Sequence, residues 1–368
     1  MRRVAAVVGL VLLGLVLVAE IGLRVFSIPG MTRDELAPDL ERLLRESPLQ
    51  AHPYLTYVLK PGYSATGPQQ RSINEWGFRG PSVSLAKPED TYRIACLGGS
   101  STYGHTPSSD ATTWPARLQH WLNDEVAGST KRVEVLNFGL SGWSTFESAA
   151  NLALRVVDFE PDLVVVYHTI NDARCALYLR GGPIRMDNAH WRAVWPRIVE
   201  APGESLLERS RTYLVLRKLF TRYSDRVDAL NTWAIVGYDP NDPDPYERGE
   251  PDERGFESFR RNLVTIQAVA RAHGARVALV TQGCDTRDIQ AGSRDNQIAA
   301  LERMTAILRE VAGEHDLILV DAKAEMHTQS SKHGIDTYFT REVHLTDAGA
   351  DLLARTIARE VIQRELIR

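Results

Sequence analysis

Arg93-Ile94-Ala95-Cys96-Leu97-Gly98-Gly99-Ser100-Ser101-Thr102 is the stretch that decides the fold. Residues 93–97 form a short apolar run with the length of one buried strand, and Gly98-Gly99 ends it. A serine follows where a strand hands over to a helix. The same alternation recurs downstream. Residues 114–126 have a helical stripe of Leu118, Trp121 and Leu122, and 132–138 read as a strand. A helix is predicted over 145–157. The continuous apolar run at 162–167 is the pattern of a parallel strand buried on both faces. After a long interruption come helix 256–273 (Phe259, Leu263, Ile266, Ala270 on one face), strand 276–281 and helix 296–312. Strand 317–320 and a final helix, 347–366, with Leu353, Ile357 and Val361 on one stripe, close the chain. Five strands alternating with helices predict an α/β fold: a parallel sheet with helices on both faces.

Around this core the composition is bland. The 368 residues are 43% hydrophobic and 24% charged, with a net charge of −4 from 43 basic and 47 acidic side chains. No basic excess marks a nucleic-acid surface. Three cysteines are too few for a disulfide scaffold or a cysteine zinc site. No motif calls for a cofactor or a metal. Prolines interleave the carboxylates of Asp239-Pro240-Asn241-Asp242-Pro243-Asp244-Pro245, which reads as a solvated linker rather than a calcium loop.

The apolar excess is concentrated at the start. Residues 4–23 are aliphatic apart from Glu20, and as a helix they span roughly 30 Å, one hydrocarbon core. They read as an uncleaved anchor, with Arg2 and Arg3 on the cytoplasmic side and Glu20 at the outer interface. A cleaved signal peptide is the rival; a cut after Ala19 would place Leu17 at −3, where a small residue is wanted. The expected layout is an anchor at 1–25 and a tether and extended lead-in at 26–90. A domain over 91–368 follows, interrupted by an insertion at about 173–255. The expected location is a single pass through the inner (cytoplasmic) membrane, with the domain facing the periplasm or cell exterior.

Functional loops of such a sheet gather beyond the carboxyl ends of its strands. Four polar or Gly-rich turns qualify: 98–104, 137–142, 168–172 and 342–346. Acyl transfer needs a nucleophile, a base and an oxyanion hole. Ser100 sits at the first turn as nucleophile. The backbone N–H groups of Ser100 and Gly142 and the Asn171 amide can receive a developing oxyanion. His344, directly before the last helix, is the candidate base. His105 and His168 lie near the same edge and read as rim or structural groups. Trp76, Trp114 and Trp143 read as packing residues. Cys175 and Cys284 follow neighbouring strands and are a candidate disulfide pair.

The four turns resemble the blocks of the SGNH hydrolase superfamily, also called the GDSL esterase/lipase family, in its membrane-anchored bacterial type. Gly98-Gly99-Ser100-Ser101-Thr102 resembles the first block, and Asn137-Phe138-Gly139-Leu140-Ser141-Gly142 the second. Asn171-Asp172 resembles the third, and Val343-His344-Leu345-Thr346 with Gly349 the fifth. Ile73-Asn74-Glu75-Trp76-Gly77-Phe78-Arg79-Gly80 is similar to the family's lead-in segment. The resemblance implies a flavodoxin-like three-layer α/β/α fold. It also implies ester hydrolysis through a serine-bound intermediate, with Ser100 as nucleophile, His344 as base, and Ser100, Gly142 and Asn171 as the oxyanion hole.

Two positions depart from the pattern. Thr169 replaces the Gly two residues before the block's Asn, and Arg341 replaces the Asp three residues before the His. A cation cannot orient an imidazolium, which leaves Glu342, Asp336 or a Ser–His dyad as alternatives. The expected substrates are acyl esters or O-acylated glycans and lipids. Acyl transfer onto an envelope glycan, and a non-catalytic binding module on a degenerate scaffold, are the competing functions.

Overall fold

The computed structural model describes residues 2–26, 28, 31–32, 48–52, 54–65, 71–177, 206–220, 251–289 and 294–367. Most of the expected insertion, 178–205 and 221–250, with its Asp/Pro stretch, lies outside the described residues. The chain divides into two compact units: residues 1–47 with 193–240, and residues 48–192 with 241–368.

In the first unit, helix α1 (Arg2–Val25) presents its aliphatic side chains outward. Its Val7–Val25 stretch is 19 residues with a mean hydropathy of 2.3, long and apolar enough to cross a membrane. Anchors and signal sequences share that property.

The second unit opens with two short hairpins, β1 (Leu49–His52) with β2 (Thr56–Leu59), and β3 (Ser64–Ala65) with β4 (Arg71–Ser72). Then come β5 (Thr91–Gly98), α2 (Ser100–Tyr103), α3 (Trp114–Glu125), β6 (Arg132–Asn137) and α4 (Thr145–Asn151). After these follow β7 (Leu163–Tyr167) and α5 (Ile170–Leu177). The chain passes through α6 (Arg211–Phe220), which belongs to the first unit. It resumes in the second with α7 (Glu253–Ala272), β8 (Arg276–Val280), α8 (Arg294–Glu314), β9 (Ile318–Val320) and α9 (Ala322–His333). The small hairpin β10 (Phe339–Arg341) and β11 (His344–Leu345) leads into α10 (Asp347–Gln363).

Five strands pair in parallel in the order β6-β5-β7-β8-β9. This is the flavodoxin-like doubly wound order. Alternate strand residues feed two separate cores. Ala95, Leu97, Val164, Val166 and Leu279 face α4, α5, α7 and α8. Ile94, Cys96, Val165, Tyr167 and Val280 face α3, α9 and α10. Period-2 side-chain alternation with apolar residues at every position requires this three-layer build. The order reverses between β5 and β7, so the turns after those strands, carrying Ser100 and Asn171, flank the crevice where such folds bind ligands.

One buried cation binds the lead-in to the sheet. Arg93 is fully buried on β5 and donates to Glu134 and to the carbonyls of Ser84, Leu85 and Phe159. A buried charge is tolerated only with such complete pairing. Trp114 and Trp143 are buried packing residues, and no disulfide joins Cys175 and Cys284.

Candidate active site

Ser100 opens the short helical turn α2 directly after β5. A side chain at Gly99 would meet the Asn171 amide nitrogen at 2.8 Å and the Trp143 carbonyl at 3.1 Å. Only glycine there lets the first and third turns close against each other. Gly142 has φ +80, in the left-handed region that favours glycine. Among the described residues no acceptor takes the N–H of Ser100 or of Gly142. The Asn171 side chain donates to the Trp143 carbonyl at 2.8 Å, which holds its amide against the second turn. Buried Thr169 folds its hydroxyl back onto the His168 carbonyl.

His344 arrives from the other end of the chain. The β10–β11 hairpin carries it, and Ser101 Oγ donates to the Val343 carbonyl at 2.7 Å, tying that hairpin to the helical turn that opens with Ser100. Thr346 caps α10 by accepting from the Gly349 N–H at 3.0 Å. The result is a 2.9 Å hydrogen bond between His344 Nε2 and Ser100 Oγ, across 244 residues of sequence. Burial, then the neighbouring His105, holds the His344 imidazole down to about 4. The two rings stand 5.7 Å apart. His344 is therefore neutral at pH 7, the state that accepts a proton.

Glu342 sits beside His344, and its charge favours the imidazolium. Its carboxylate, however, is gripped by Arg174 at 2.8 and 2.9 Å. Among the described residues no carboxylate accepts a hydrogen bond from His344 Nδ1. Asp336 is exposed and bonds Arg287. Arg174 lies three residues after Asn171 on α5, so both share one helical face. That spacing was the only sequence signal for it.

A sealed polar cluster braces the turns that carry Gly142 and Asn171. Asp172 is fully buried and accepts from the Thr145 N–H at 3.1 Å and from the Thr145 hydroxyl at 2.5 Å. His168 Nε2 bonds Ser148 Oγ at 2.7 Å, and its Nδ1 faces Asp172 at 3.9 Å. Asn262 donates to the Thr145 hydroxyl at 3.1 Å. This cluster also combines a Ser, a His and an Asp, but Ser148, His168 and Asp172 are all buried, so it meets no substrate. Burial holds His168 down to about 3, neutral at physiological pH. Nearby, Ser144 donates both N–H and hydroxyl to Glu147, at 2.9 and 2.7 Å. Burial pushes Glu147 up to about 7. Tyr57 of β2 donates to the Ser141 carbonyl at 2.6 Å, closing the bracket around Gly142.

A doubly wound sheet with a serine–histidine pair at its switch point defines a serine hydrolase of the SGNH type. The profile of the GDSL-like Lipase/Acylhydrolase family matches residues 96–352, and the chain belongs to that family. It is an ester-hydrolysing serine hydrolase. Among solved structures, an acetylxylan esterase from Geobacillus stearothermophilus is 15% identical over 73% of this chain and 94% of its own, with a TM-score of 0.44. The lipase/acylhydrolase from Enterococcus faecalis is 18% identical over 74% and 96%, with a TM-score of 0.43. No functionally curated protein matches the chain.

Proposed function

We propose that the protein is a membrane-anchored, extracytoplasmic esterase that works through an acyl-enzyme on Ser100. The observation that carries this reading is the 2.9 Å contact between Ser100 Oγ and a neutral His344 Nε2. His344 takes the Ser100 proton as Oγ attacks the ester carbonyl carbon. The carbonyl oxygen becomes an oxyanion facing the N–H groups of Ser100 and Gly142 and the Asn171 amide. Each such donor contributes roughly 10²–10³ in rate. Collapse breaks the ester C–O bond, and the imidazolium gives its proton to the departing alcohol. Water then attacks the acyl-serine, with His344 again as base, and releases the carboxylic acid. Glu342 stabilises the imidazolium by charge, without a hydrogen bond. Acyl esters, including O-acylated glycans and lipids, are the proposed substrates.

The test is release of p-nitrophenol from a short-chain acyl ester, together with fluorophosphonate labelling. Wild-type protein should show both, and Ser100→Ala neither. A wild-type protein that neither turns over ester nor takes the label would favour the non-catalytic binding-module reading.

A further inference from the structure

Glu20 interrupts an otherwise aliphatic helix, and its position has a measurable geometry. It lies five residues before Val25, so about 7 Å inside the outer end of the apolar run. A carboxylate at that depth needs donors. It finds them in the segment that opens α6. Ser210 Oγ donates to Glu20 at 2.9 Å, and the N–H groups of Arg211 and Thr212 donate at 3.2 and 2.9 Å. Arg24 Nε adds a fourth donor at 2.7 Å. The clasp is reciprocal: Arg24 donates to the Arg209 carbonyl at 3.0 Å, and Arg211 to the Leu23 carbonyl at 2.6 Å. Glu20 therefore serves as the capping carboxylate of a helix 190 residues away, where the positive helix end favours it.

These bonds fix depth. Residues 210–212 must sit level with Glu20, below the outer end of the apolar run. The surroundings match that level. Leu207 is 61% and Leu216 45% exposed, as are Ile21, Val25 and Phe26 of α1 and its extension. Arg24 and Arg209 are exposed beside them, where lipid phosphates would pair with them. In the second unit the exposed large apolar side chains are only Tyr54, Leu85 and Leu154, among the described residues.

We propose that residues 206–216 of the insertion lie in the outer boundary layer of the bilayer that α1 crosses, held there by Glu20, with Leu207 and Leu216 in contact with lipid. The inference rests on the anchor reading of α1. It makes this part of the insertion a membrane-seated element.

The test uses the full chain in nanodiscs of phosphatidylethanolamine and phosphatidylglycerol. The photocrosslinker p-benzoylphenylalanine is placed in turn at Val11, Leu216 and Leu154, and adducts are read by mass spectrometry. Lipid adducts are expected at Val11 and Leu216 and not at Leu154. Glu20→Leu keeps the span apolar and should lower the Leu216 lipid yield roughly fivefold, the population change that loss of a helix cap brings, with Val11 unaffected. Crosslinks from Leu216 to another segment or a second copy, with Val11 still lipid-labelled, would overturn the proposal. An unchanged Leu216 yield in Glu20→Leu would also overturn it. Absence of lipid at Val11 would instead remove the anchor reading, and this inference with it.

Discussion

Glu342→Gln tests how the imidazolium is stabilised. A carboxylate hydrogen-bonded to the histidine of a serine triad is worth about 10⁴ in kcat. Here the Glu342 carboxylate is bound to Arg174 at 2.8 and 2.9 Å, and its influence on His344 is through-space charge. The Arg174 charge partly cancels it. A partly cancelled through-space charge of this kind is worth about tenfold in rate. The expected loss in kcat is therefore about tenfold, with KM little changed. The acid limb of kcat/KM should also move to lower pH, because the charge that favoured the imidazolium is gone. Arg174→Gln should move it the other way, since Glu342 is then unopposed. Steady-state hydrolysis of a p-nitrophenyl ester, followed by stopped assay across about pH 2.5 to 9, reads both quantities. A loss of about 10³ or more in Glu342→Gln would refute this reasoning, because it would mean that the carboxylate leaves Arg174 and bonds Nδ1 during turnover. Limbs that fail to shift in opposite directions would refute it as well.

In the wild-type enzyme, kcat/KM should fall on the acid side with a midpoint near 4, since His344 must lose its proton to act as base; a midpoint near 6.5 would contradict the buried, cation-flanked setting. Asp172→Asn keeps the shape but removes the charged acceptor of Thr145, and should lower stability by roughly 2–3 kcal/mol. It should also cut kcat about 10–100-fold with KM nearly constant, through slippage of the turns that carry Gly142 and Asn171; thermal melts and steady-state kinetics separate the two effects. Glu147, held near 7 against 4.5 when unfolded, contributes stability that is complete below pH 4.5 and lost as pH rises through 7. Glu147→Gln should therefore flatten the decline in Tm between pH 5 and 8, a change on the order of 3 kcal/mol.

The sheet was legible because its strands are apolar at consecutive positions, and only a sheet covered on both faces buries such runs. Helix α9 was not, since AKAEMHTQSSKH carries no apolar stripe and buries only Ala322 and Met326. The β1–β4 hairpins escaped for another reason. They are two to four residues long, and contacts such as Tyr57 to Ser141 set them rather than local pattern. Helix α4 was expected to run to 157, but its regular part stops at Asn151, and a wider π turn over Leu152–Val156 continues it. The rule that chemistry gathers beyond strand ends pointed to Ser100, Gly142, Asn171 and His344, and the fold brings Ser100 and His344 within hydrogen-bond reach. The rule said nothing of Arg174, whose grip on Glu342 spans 168 residues and depends on side-chain direction alone.

The deep seating of His344 has a consequence for the choice of ester. A base held near 4 is a weak proton acceptor, but its conjugate acid is correspondingly strong. On the proposed mechanism, attack by the serine is then the harder half of acylation, and protonation of the departing oxygen the easier half. Esters of basic alcohols, such as sugar hydroxyls or glycerol, gain most from a strong acid at the leaving group. Aryl esters, whose phenolate departs without help, gain least. On the proposed mechanism, alkyl and glycosyl esters should therefore gain more over their uncatalysed rates than chromogenic aryl esters do.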